Sequence, residues 1–142
     1  MTYLLDTNVI SERSKPGPER RCLEWLAEHQ HDCGISTVTV AELRYGVERL
    51  PDGKRKRTLS RKLDFLLQDY REKVLVLDEN VAADWGRYVS RLEIEMGEGV
   101  LEQLDYPDTQ IAATALAYGL VIVTNNDKDF PALETLNPWL EA

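Results

Sequence analysis

The chain has 142 residues, 43 % of them hydrophobic and 30 % charged, which fits one domain with the profile of an ordinary soluble globular protein. No stretch approaches the roughly 18 consecutive apolar residues that cross a bilayer. The net charge of −8, from 17 basic and 25 acidic residues, argues by itself against general nucleic-acid binding, because phosphate contacts need positive potential.

In chain order, Tyr3-Leu4-Leu5 is a short apolar run closed by Asp6, as in a buried strand. No positively charged n-region precedes it, so no signal peptide is read and the cytoplasm is the expected address. Past the breakers Lys15-Pro16-Gly17-Pro18, the segment from Glu19 to Glu28 sets Cys22, Trp25 and Leu26 at helical spacing. His29 and His31 follow in a polar stretch, beside no evident nucleophile. Cys33 to Ser36 reads as a second strand. Thr39 opens a helix carrying Leu43 and Val47, which Pro51-Asp52-Gly53 ends.

The next helix aligns Leu59, Leu63, Leu66, Leu67 and Tyr70. Its N-terminal end carries six positive charges and no acid between residues 54 and 62. Val74 to Leu77 is a third strand. Asn80 caps a helix bearing Val81, Trp85, Tyr88, Val89 and Leu92, interrupted at Gly97-Glu98-Gly99. Core or dimer packing is the expected role of Trp25, Trp85 and Tyr88. Pro107-Asp108 starts an Ala-rich helix that Gly119 ends, and Leu120 to Val123 is a fourth strand, apolar throughout as if covered on both faces. Strands alternating with helices indicate an α/β fold with a mainly parallel sheet, and nothing divides residues 1–142 into more than one domain. Cys22 and Cys33 lack metal-site or disulfide spacing and read as two reduced, partly buried thiols.

Active sites of parallel α/β sheets form beyond the carboxyl ends of the strands, where four acids fall. Asp6 follows the first strand and Asp127 the fourth. Glu42 lies in the first turn of the helix after the second strand, and Asp108 begins the helix leading to the fourth. Each has a purely structural alternative: Asp6 as a turn residue, Glu42 as half of a capping box with Thr39, Asp108 as an N-cap, and Asp127 and Asp129 as loop acids. If the strand ends converge, the acids make a bare carboxylate cluster whose repulsion needs a proton or a cation. All-oxygen donors without His or Cys favour Mg²⁺ or Mn²⁺. Such a cation can activate water for in-line attack on a phosphodiester.

The order of motifs resembles the PIN-domain nucleases. Asp6-Thr7-Asn8-Val9-Ile10-Ser11 is similar to their opening, and Ser36 through Gly46, with Ala41-Glu42-Leu43, to their second motif. Asp108-Thr109-Gln110-Ile111-Ala112-Ala113 resembles the third and Val123-Thr124-Asn125-Asn126-Asp127-Lys128-Asp129-Phe130 the fourth. With the closing Leu136-Asn137-Pro138-Trp139, the whole chain looks most like the VapC/FitB-type toxins of prokaryotic toxin–antitoxin pairs. The resemblance implies a three-layer α/β/α domain, Mg²⁺-dependent endoribonuclease activity, a homodimer, and inhibition by a cognate antitoxin whose tail occupies the groove. It implies Asp6 and Asp108 as the principal metal ligands and Glu42 as a further ligand or water-orienting carboxylate. Thr7, Asn8, Thr124 and Asn126 would supply hydrogen bonds that aim them.

In some relatives an acid stands at the place of Asn126. Here Asp127 is preferred as the fourth acid and Asp129 is the other candidate. Arg13, Lys15, Arg44, Lys54, Arg55 and Arg57 are the expected RNA contacts. Two other readings stay open. One is a non-catalytic module whose acids bind a partner's Arg. The other is a phosphatase using Asp6 as nucleophile, although the haloacid-dehalogenase pattern wants an Asp where Asn8 stands.

Overall fold

The structure, a computed structural model, describes residues 1–140. Among these, five strands are found: β1 (Tyr3–Leu5), β2 (Cys33–Ser36), β3 (Val74–Leu75), β4 (Val121–Val123) and β5 (Thr135–Leu136). The helices are α1 (Thr7–Ser11), α2 (Arg20–His29), α3 (Thr37–Glu48), α4 (Lys54–Asp69), α5 (Glu79–Met96), α6 (Val100–Gln103) and α7 (Tyr106–Tyr118). Every strand pairing is parallel, and the order across the sheet is β3-β2-β1-β4-β5.

The two-residue period of a strand sends neighbouring side chains to opposite faces, and two cores result. Leu5, Ile35 and Val123 point one way and bury against α1, α2 and α4 through Val9, Ile10, Trp25, Leu63, Leu66 and Tyr70. Leu4 and Ile122 point the other way, onto Tyr88 and Leu92 of α5 and Ile111, Ala112 and Ala115 of α7. The sheet is therefore covered on both faces, as its unbroken apolar strands require, and the architecture is the expected three-layer α/β/α. Cys22 and Cys33 are free and wholly buried, and burial pushes their thiols up to about 11 and about 12. Among the described residues no helix is long and apolar enough to cross a membrane.

Strand order explains where a site can form. The chain steps outward from β1 to β2 to β3, then returns to lay β4 on the other side of β1. The segments leaving β1 and β4 consequently diverge, and a crevice opens between them at this switch point.

Four boundaries differ from the sequence reading. The second strand's helix starts at Thr37, not Thr39: Ser36 is the cap, its hydroxyl accepting the Thr39 N–H at 3.0 Å. The third strand stops at Leu75 because its partner β2 ends at Ser36. Beyond it, the Leu77 N–H donates to Thr37 Oγ1 at 3.2 Å instead of to a ladder. The helix expected to be capped by Asn80 is capped by Asp78, which accepts the Val81 N–H at 3.0 Å. Strand β5 was not expected, since two half-buried residues show no period; the Thr124 N–H donates to its Leu136 carbonyl at 2.9 Å.

Candidate active site

The crevice at the switch point is a cleft of about 370 Å³, whose walls include Asp6, Asn8, Lys15, Glu42, Asp108 and Asp129. Five separate segments of the chain thus supply it. Asp6 ends β1 and caps α1. It is only 4 % exposed, and both carboxylate oxygens are held: Oδ1 accepts the Thr7 N–H at 2.8 Å and Oδ2 the Thr124 hydroxyl at 2.8 Å. Burial pushes its carboxyl above the ordinary range. The two hydrogen bonds pull it back, and the charges of Glu42 and Asp129 push it up again.

Glu42 stands in the second turn of α3, so it forms no capping box with Thr39. That correction removes its structural alternative. Its Oε1 accepts the Thr7 hydroxyl at 2.7 Å instead, across 35 residues of sequence. Asp108 is the third residue of α7, whose N-cap is Asp105, so it is not a cap either. Burial first, then the charges of Asp129, Asp6, Glu42 and Asp105, raise its carboxyl to about 7.

Past β4 the chain makes one turn of 3₁₀ helix over Asp127–Asp129. The tight turn sets residues 126 and 129 on one side. Asn126 Nδ2 donates to Asp129 Oδ2 at 2.8 Å, while the Asn126 N–H donates to Thr124 Oγ1 at 3.0 Å. Asp129 faces the cleft, and burial and the charge of Asp105 raise its carboxyl. Asp127, the fourth acid preferred from sequence, is exposed and does not line the cleft. Sequence reading also passed over Asp105 and the buried Glu12, which accepts the Glu19 N–H at 2.8 Å and the Lys15 ammonium at 3.1 Å.

The electrostatics ask for a cation. Three carboxyls of one cleft are raised together, each by burial first and then by at least one neighbouring acid. Asn8 Oδ1 is the single buried side-chain polar atom without a partner among the described residues, an acceptor that a hydration-shell water could satisfy. The described residues hold no preassembled group of three or more acids, His or Cys around one point. A hard divalent cation that keeps several waters and takes one or two carboxylates suits this donor set.

The basic residues divide. Lys15 reaches the cleft wall. Arg13 and Arg44 are engaged elsewhere, by Asp69 at 3.5 Å and Asp64 at 2.6 Å. Lys54, Arg55 and Arg57 are exposed in the first turn of α4, which has no acid and no side-chain cap. Positive charge there opposes the helix dipole.

A fully parallel α/β/α sandwich with acids gathered at the switch point defines an acid-centred α/β domain whose chemistry lies at the strand ends. The PIN domain family model matches residues 3–136, and the chain belongs to the PIN-domain family. It is 37 % identical to toxin FitB of Neisseria gonorrhoeae, with 96 % of this chain and 97 % of that protein covered. It is 33 % identical to VapC ribonuclease Y4jK of Sinorhizobium fredii, with 96 % of each covered. The crystal structure of FitAcB from Neisseria gonorrhoeae superposes with a TM-score of 0.88 at 36 % identity, over 99 % of this chain and all of that one.

Proposed function

We propose that this single-domain chain is a divalent-cation-dependent endoribonuclease acting as the toxin of a toxin–antitoxin pair. The observation that carries the reading is the gathering of Asp6, Glu42, Asp108 and Asp129, from four distant segments, around one cleft, where burial and then the neighbouring acids raise the Asp108 carboxyl to about 7. The resemblance to a protein named VapC ribonuclease and to one named toxin FitB supports the activity and the biological role. Asp6 and Asp108 hold the cation, Mg²⁺ with Mn²⁺ as substitute, and Glu42 and Asp129 flank it. When bound, the cation supplies Lewis-acid activation of water and neutralises charge on the phosphate.

The chain's own residues provide aim. Thr124 and the Thr7 N–H fix Asp6, the Thr7 hydroxyl fixes Glu42, and Asn126 fixes Asp129. Lys15 offers an ammonium to a phosphate at the rim. The phosphatase reading loses ground here, since Asn8 stands where that chemistry wants a second Asp and the similar proteins are named toxin and ribonuclease. An acidic cleft suits an antitoxin whose inhibitory segment is basic. Homodimerisation is proposed through the apolar hollow between α3 and the start of α7, where Tyr45 is 65 % exposed.

The direct test is cleavage of total RNA by the purified chain with Mg²⁺. Activity should vanish with EDTA and in Asp6→Asn, and sequencing the new 5′ ends would name the substrate. Binding without cleavage would instead support the non-catalytic module, and phosphate release from small esters the phosphatase. Asp129→Asn should cut the rate at least tenfold, whereas Asp127→Asn should stay within twofold of wild type. The opposite ranking would return the fourth position to Asp127.

Reversing Lys54, Arg55 and Arg57 to Glu should weaken RNA binding and flatten its salt dependence. The same change should stabilise α4 by a few tenths to about 1 kcal/mol per residue, because the new charges suit the helix dipole. An unchanged salt slope would remove this turn from the RNA surface.

A further inference from the structure

The N-terminal turn of α7 carries Asp108 and lacks the usual means of holding itself. Asp105 makes no side-chain cap, and Pro107, in the second position, has no N–H to give. The turn is fastened from outside. Thr109, 1 % exposed, accepts the Trp85 indole Nε1–H of α5 at 2.9 Å and donates its hydroxyl to the Tyr106 carbonyl at 2.7 Å. The Trp85 ring also meets the Tyr106 ring edge to face, with centroids 5.9 Å apart and planes at 89°. One indole thereby grips the residue before Pro107 and the residue after Asp108, although it does not line the cleft.

Packing alone does not account for this. Trp85 is only half-buried, and its N–H could have been left to water. It is spent on a hydroxyl that is already committed to the helix backbone, so donor, hydroxyl and carbonyl form a short relay running into the turn. Tyr88, one turn further along α5, sends its hydroxyl to the Pro131 carbonyl at 2.8 Å, just beyond the turn that bears Asp129. Two consecutive turns of α5 thus brace the first turn of α7, which carries Asp108, and the segment that follows Asp129.

We propose that Trp85 is a positioning residue for the cation site: through Thr109 it sets the attitude of the Asp108 carboxylate and hence the affinity for the cation. The inference rests on the reading of Asp6 and Asp108 as the cation's ligands. Removing an outer partner of a ligand characteristically costs 10–100-fold in metal affinity. Here the partner acts through a neighbour, and the expected loss is at the lower end, about tenfold.

The experiment is Mn²⁺ binding to the purified chain followed by electron paramagnetic resonance, with thermal melts to check folding. Trp85→Phe keeps an aromatic ring and loses the donor, and should bind Mn²⁺ about tenfold more weakly. Thr109→Val should match it, and the double variant should be no weaker than Thr109→Val alone, since both remove one relay. Thr109→Ser, which keeps the hydroxyl, should restore wild-type affinity. In cleavage assays, saturating Mn²⁺ should recover kcat in Trp85→Phe, with KM for RNA unchanged. Wild-type affinity in both Trp85→Phe and Thr109→Val would overturn the tether. A loss in Thr109→Ser as large as in Thr109→Val would overturn it as well, in favour of packing. A wild-type chain that binds no Mn²⁺ would instead overturn the reading of the site itself.

Discussion

Asp108→Asn is expected to make the metal-free chain more stable at pH 8 while abolishing cleavage. The carboxyl of Asp108 sits at about 7 in the folded chain, against 3.8 ordinarily, because of burial and then the surrounding acids. A raised carboxyl favours the folded state fully below pH 3.8. That advantage is lost as the pH climbs towards 7, since folding then has to bury a charge that the unfolded chain carries freely in water. For a fully enclosed group such a rise would be worth about 4 kcal/mol. Solvent reaches one side of Asp108, so about 1–3 kcal/mol is the expected gain for Asn at pH 8. At pH 4 the gap should nearly close.

Urea denaturation of both chains in EDTA at pH 4, 6 and 8 measures this directly. Added Mn²⁺ should stabilise the wild type by mass action and leave Asp108→Asn behind, reversing their order. Equal stabilities at pH 8 without metal would mean that the acids do not burden one another, and the electrostatic case for a cation would lose its strongest support. Stability is given up here for a charge pattern that a proton or a bound cation relieves, as at many functional sites.

Much of this site was legible because its first acid sits where physics makes reading easy. Tyr3-Leu4-Leu5-Asp6 is a buried strand meeting a charge, and the alternation of strands and helices dictates which end of the sheet is open. Glu42 was read on the helix after β2, where it stands, but explained through the wrong cap. Thr37-Val38-Thr39-Val40 is β-branched and alternating, which disguises the first turn of a helix as the end of a strand. Tertiary packing overrides that local preference.

The choice between Asp127 and Asp129 was hidden for a related reason. Asp127 and Asp129 are equally plausible loop acids until the 3₁₀ turn is known, and that turn follows from Asn126 having two partners, Thr124 and Asp129. No periodicity encodes it. The relay from Trp85 to Thr109 was invisible for the simplest reason: its partners lie on different helices, 24 residues apart. An indole on an apolar helical face announces packing and not a donor. Long-range hydrogen bonds between side chains are what one sequence conceals best, and here they orient Asp6 and Glu42, while the relay reaches Asp108 through its neighbour.

Thr124→Val should have the largest effect of any substitution that leaves all the acids in place. The Thr124 hydroxyl donates to Asp6 Oδ2 and accepts the N–H of Asn126, and Asn8 Nδ2 lies 3.4 Å away. One buried oxygen therefore joins the acid after β1 to the loop that carries Asp129. Valine has the same shape and cannot donate, so Asp6 would keep a buried oxygen with no partner, at a cost of about 1–3 kcal/mol. The penalty should grow with pH. The hydroxyl lowers the Asp6 carboxyl, and without it the folded chain resists ionisation still more, so the stability deficit should be larger at pH 8 than at pH 4. Metal affinity and cleavage should fall together by roughly 10–100-fold, while Thr124→Ser, with its hydroxyl intact, should stay near wild type. Mn²⁺ titration and a single-turnover cleavage assay on the three chains decide the matter. Full activity in Thr124→Val would show that the sheet end alone fixes Asp6, and the hydroxyl would then be only a buried donor satisfied by the nearest acid.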